Sequence, residues 1–119
     1  RRTSNDVYLL RGIGGNMNES QYRTKLETKL RKMFPGCVIL HNDPSHIQGI
    51  PDIIVLFRNK WAMLEIKMSN DASIRPNQEY YVELLKEMSF ASFINPQNEE
   101  DVLDDLQFTF GVVGSTRIS

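Results

Sequence analysis

Apolar and polar positions along this chain follow two periods, and the switches between them mark its elements. Over residues 18–34, Tyr22, Leu26, Leu30 and Met33 recur at spacings of four, four and three, which is one stripe of an α-helix. Asn18 suits the N-cap, and Pro35-Gly36 stops the helix. Residues 37–41 are a short apolar run and predict a strand; 42–49 are a polar loop. The run Ile53-Ile54-Val55-Leu56-Phe57 is apolar and mostly β-branched or aromatic, the pattern of a strand buried on both faces. A polar break at 58–60 permits only a hairpin into a second, antiparallel strand over 61–67. Pro76 suits the first turn of a helix whose apolar stripe is Tyr81, Leu84, Leu85 and Met88. A strand over 90–94 follows that helix, so a crossover parallel to 61–67 is expected. An acidic helix over 99–106 and a last strand over 108–113 complete the pattern.

The expected fold class is therefore α/β: a mixed central sheet flanked by helices, its core in the order α-β-β-β-α-β. Residues 1–18 read as a flexible N-terminal arm, in which Val7, Tyr8, Leu9 and Leu10 form a short strand or pack on the body. The Gly12-Ile13-Gly14-Gly15 stretch lacks the Lys-Ser/Thr of a phosphate loop. Residues 19–119 read as a single domain, since 119 residues sit near the size of one domain.

Composition narrows the class. Hydrophobic residues are 40% and charged residues 24% of the chain, which argues against wholesale disorder. The single cysteine, Cys37, excludes an internal disulfide and suits a reducing compartment. The longest apolar run falls far short of the ~20 residues of a membrane span, and no signal-peptide pattern is present. A cytoplasmic location and no membrane partner are expected. The net charge of −1 hides an asymmetry: residues 1–36 carry eight Lys/Arg against three Asp/Glu, whereas 95–119 carry one against five. A basic segment of this kind suits nucleic acid; its alternative is a solvated helix face. On the first helix Lys25, Lys29 and Lys32 cluster at 100° per residue and are the expected DNA contacts. His46, in the loop before Asp52, is a further candidate to touch a phosphate.

The hairpin carries the chemistry. Side chains alternate along a strand, so Glu65 and Lys67 share a face. A turn pairing Phe57 with Lys60 sets Asp52 opposite Glu65; one pairing Arg58 with Trp61 sets it opposite Lys67. Either register brings the three polar groups together among Ile, Val, Leu, Met and Trp, where unpartnered charge is costly; a three-residue loop without a bulge would separate them. Close carboxylates repel, and a hard divalent cation relieves that repulsion. Mg²⁺ (or Mn²⁺) suits two carboxylates, a backbone carbonyl and an incoming phosphate. Lys67 beside it would orient a water or neutralise developing charge. The alternative is an Asp–Lys–Glu ion pair with a purely structural role.

Pro51-Asp52, twelve residues, then Glu65-Ile66-Lys67, with Gln78 in the following helix, resembles the signature of the PD-(D/E)XK nuclease superfamily, and in its local wording the VRR-NUC branch, phage-type nucleases and Holliday-junction resolvases. The resemblance covers about residues 19–94. It implies a restriction-endonuclease-like core, with metal held by Asp52, Glu65 and the Ile66 carbonyl, and Lys67 in the catalytic role. It further implies a glutamate on the first helix, for which Glu27 is the first choice and Glu19 the second, and a glutamine near the site, for which Gln78 stands. The expected function is a Mg²⁺-dependent DNA endonuclease (a hydrolase of structure-specific, nicking or homing type) in a bacterial or phage-infected cell. The alternative is a catalytically inactive nuclease-derived binding module. A chain this short leaves little room for extra recognition, so a homodimer is the expected assembly.

Overall fold

The computed structural model describes residues 17–69 and 71–112. Its first helix, α1 (Glu19–Met33), starts where the sequence provides a reciprocal cap: Asn18 accepts from the Gln21 backbone N–H at 2.8 Å, and Gln21 accepts from that of Asn18 at 2.9 Å. Tyr22, Leu26 and Leu30 of the predicted stripe are buried, while Met33 is only half-buried and the following Phe34 takes the inner place. Three antiparallel strands follow: β1 (Val38–His41), β2 (Ile53–Phe57) and β3 (Lys60–Ile66). Helix α2 (Pro76–Met88) then crosses over to β4 (Phe90–Ile94), which pairs with β3 in parallel as the spacing predicts. Helix α3 (Glu99–Phe110) is the last element among the described residues. The sheet order is β1-β2-β3-β4, so the fold is α/β with a mixed four-stranded sheet.

The two sheet faces are unequal. One carries the main core, where α1 and α3 meet Ile53, Val55, Phe57, Ala62, Leu64 and Ile66. Phe34, Phe57 and Phe110 form an aromatic cluster there, with centroids 5.0–5.6 Å apart. Tyr22 donates to Glu99 at 2.8 Å, and Lys29 pairs with the same carboxylate, joining α1 to α3. Burial and the Glu99 contact hold the Tyr22 hydroxyl well above its usual range. The other face carries a smaller cluster in which Val82 and Leu85 of α2 meet Ala91, with Trp61 and Met63 packed against it.

Three expectations change. Strand β2 is buried on one face only: α2 packs on the β3–β4 half of its face, leaving Leu56 exposed and Ile54 half-buried. The α2 stripe runs through Val82 and Leu85, while Met88 is exposed. Among the described residues no strand follows Leu106, because the helix continues to Phe110. Phe108-Thr109-Phe110 favours strands by propensity, but Phe110 lies one turn beyond Leu106 and enters the core, and Phe108 is left 86% exposed. Gly111, at φ +75°, closes the helix. The arm with Val7 to Leu10 and residues 113–119 lie outside the described residues. Among the described residues no helix is long and apolar enough to cross a membrane.

Candidate active site

The hairpin turn settles the register. Arg58, at φ +58°, takes the positive-φ first position of a two-residue turn, and Phe57 pairs with Lys60. Continuing that pairing from Ile53–Leu64 sets Asp52 opposite Glu65. Alternation then puts Asp52, Glu65 and Lys67 on the face that carries Met63, Trp61 and α2.

Each carboxylate is held. Asp52 Oδ2 accepts from the Ile66 N–H at 2.9 Å. Glu65 is 5% exposed, and its Oε2 accepts from Gln78 Nε2 at 2.8 Å. Gln78 Oε1 in turn accepts from Lys67 Nζ at 2.8 Å and from the Arg75 N–H at 3.1 Å. Gln78 therefore fixes the acid and the lysine relative to one another. Burial first, and then the charge of Asp52, pushes the Glu65 carboxyl up to about 7; Lys67 opposes the shift, and Glu19 adds to it weakly.

The backbone around Asp52 is pinned from β1. The Asn42 N–H donates to the Asp52 carbonyl at 2.9 Å, and Asn42 Nδ2 donates to the Pro51 carbonyl at 2.8 Å. The loop after Asn42 closes on α2 through Gly49, whose φ is +94°. A Cβ there would lie 2.5 Å from the Asn77 Cβ, so glycine permits the approach.

Of the residues predicted from sequence, the structure brings together Asp52, Glu65, Ile66, Lys67 and Gln78. It brings Glu19 rather than Glu27 to them: Glu19 lines the cleft containing all five. Glu27 lies eight residues on, roughly 12 Å along the helix, is buried, and bonds His41 at 2.6 Å with Arg31 nearby. Lys25 and Lys29 line a different cleft beside Glu99 and Glu100, and Lys32 is exposed. His46 lies in a pocket with Asn42, Asp43 and Ile50, whereas its neighbours Ser45 and Gln48 line the space beside Asp52. Asn42 and Arg75 join the site without a sequence signal for chemistry. The sequence marks Arg75 only as the residue before Pro76, and nothing local marks Asn42.

Compared with known proteins, the chain matches no protein-family model, no curated protein and no solved structure. Among the described residues no three His, Cys, Asp or Glu side chains form a metal-binding group. The donors present still suit Mg²⁺, which binds through one or two carboxylates and keeps several waters: Asp52 and Glu65 face one another, Glu65 is raised by burial first and then by the charge of Asp52, and each has one oxygen committed to a hydrogen bond.

Proposed function

We propose that the chain is a metal-dependent endonuclease acting on DNA. The observation that carries this reading is the hydrogen-bonded series Lys67–Gln78–Glu65 with Asp52 opposite, gathered at one end of a hairpin and bordered by open clefts. The resemblance to PD-(D/E)XK nucleases supports it, as does the order of the elements, which is the α-β-β-β-α-β core with one more helix.

Asp52, Glu65 and the Ile66 carbonyl would hold Mg²⁺ or Mn²⁺, with Glu19 close to the same cleft. The bound ion would supply Lewis acidity to a phosphodiester and lower the pKa of a coordinated water. The protein's own groups do the rest. Gln78 holds Lys67 Nζ at a fixed place beside Glu65, where the ammonium orients a water for attack and offsets charge that develops on the phosphoryl oxygens. Gln78 keeps Glu65 in one rotamer, and the Ile66 N–H does the same for Asp52.

The test is cleavage of duplex, flap, single-stranded and four-way-junction DNA with Mg²⁺, with Mn²⁺ and with EDTA. Cleavage is expected with metal and not with EDTA, and Glu65→Ala or Lys67→Ala should lower the rate by about 10²–10⁴. Binding without cleavage in any metal would overturn the enzyme and favour a nuclease-derived binding module. Cleavage unaffected by either variant would overturn the assignment of the site.

A further inference from the structure

Two clefts flank the carboxylate pair. One, of about 580 Å³, lies between the loop containing Ser45 and Gln48 and the start of α2. The other, of about 510 Å³, runs past Lys67 towards Glu19. Each is the size of a ligand pocket, which suits about one nucleotide. Asp52, Glu65, Arg75 and Gln78 line both clefts, so the carboxylates sit at the waist of one continuous trough.

Three of those four residues already have partners in the hydrogen-bonded set. Arg75 is the fourth. Its backbone N–H is used by Gln78, but its side chain is exposed, and among the described residues no ion pair holds its guanidinium. The second cleft has Lys67 as well. Among the described residues the first has no cation except Arg75: its other lining groups are uncharged apart from Asp52 and Glu65. A polyanion crossing an acidic waist needs a compensating cation on each side, and a guanidinium grips a phosphate through two parallel N–H donors.

We propose that Arg75 is a phosphate-binding residue of this trough, holding the backbone phosphate of the strand segment that lies in the first cleft, next to the scissile position. This rests on the endonuclease reading and adds to it a substrate that extends beyond the cut on the α2 side.

The experiment is binding of a fluorescein-labelled single-stranded oligonucleotide in Ca²⁺, titrated with salt, for the wild type, Arg75→Ala and Arg75→Lys. Melting curves of the three should coincide, because among the described residues no ion pair holds the side chain. Arg75→Ala should weaken binding about tenfold and flatten the log–log salt slope by about 0.7, the loss of one single-strand phosphate contact. Arg75→Lys should keep the slope and lose part of the affinity, since it retains the charge but not the fork. Unchanged affinity and slope in Arg75→Ala overturn the proposal. The two readings fail separately. A wild type that cleaves, with Arg75→Ala indistinguishable from it in KM and slope, sinks the Arg75 assignment alone. A wild type that binds and never cleaves, with the slope flattened by Arg75→Ala, sinks the enzyme and keeps the phosphate contact. A wild type that binds no oligonucleotide overturns both.

Discussion

Glu65 is where the competing terms meet. It is nearly inaccessible, faces Asp52, and titrates at about 7 rather than the usual 4.5. The native state therefore holds this proton more tightly than the unfolded chain does. Between pH 4.5 and 7 the native state binds more protons, so the free energy of unfolding falls as pH rises through that window. The stabilisation is fully present below the lower value and is lost above the upper one. Glu65→Gln removes the charge and keeps an acceptor for Gln78 Nε2. In EDTA the variant should melt with the wild type near pH 5 and be more stable near pH 8, by about 1–3 kcal/mol. Thermal melts of both proteins at the two pH values check this. A variant no more stable at pH 8 would mean that Lys67 and Gln78 already offset the buried charge.

At the scale of elements, the site depends on how closely the loop after β1 approaches α2. Gly49→Ala meets two obstacles at once, a positive φ and a 2.5 Å clash with the Asn77 Cβ. Gly36 has a similar φ of +89° and open space around it, so it isolates the conformational part. Gly36→Ala should cost about 1 kcal/mol and Gly49→Ala about 1–3 kcal/mol more, measured by denaturant unfolding. Equal costs would show that the loop yields freely. Much of this architecture is legible in the sequence, because its signals are local: Asn18 and Pro35 bound α1, and any two-residue turn keeps Asp52, Glu65 and Lys67 together, the three-residue loop that would separate them being excluded by the pairing of Phe57 with Lys60. What is not legible depends on how elements lie on one another. Glu19 and Glu27 both fit the first helix, and only the seating of α1 on the sheet decides which meets the cleft. Phe108-Thr109-Phe110 reads as strand until the core offers Phe110 a place one turn after Leu106. Met88 fits a plausible stripe that α2 rotates into solvent.

Across the molecule, the basic segment and the acidic C-terminal region are not independent. Lys29 pairs with Glu99, so part of the positive charge on α1 is already spoken for. A Lys25/Lys29/Lys32→Gln triple variant should flatten the salt slope of duplex binding by about two units rather than three, at about 0.9 per phosphate contact. Lys29→Gln alone should leave it unchanged. A salt titration of the single and triple variants checks this; a full unit lost with Lys29 alone would show that DNA displaces Glu99. The hairpin brings Asp52 and Glu65 together without α2, but Gln78 and Arg75 arrive only when α2 docks. The chain's one tryptophan, Trp61, sits at that junction: it packs against the α2 cluster, and its carbonyl accepts from Ser89 Oγ at 2.5 Å at the end of the helix. Its intrinsic fluorescence is thus a built-in optical reporter, whose emission follows the seating of α2 on the sheet and, with it, the completion of the trough.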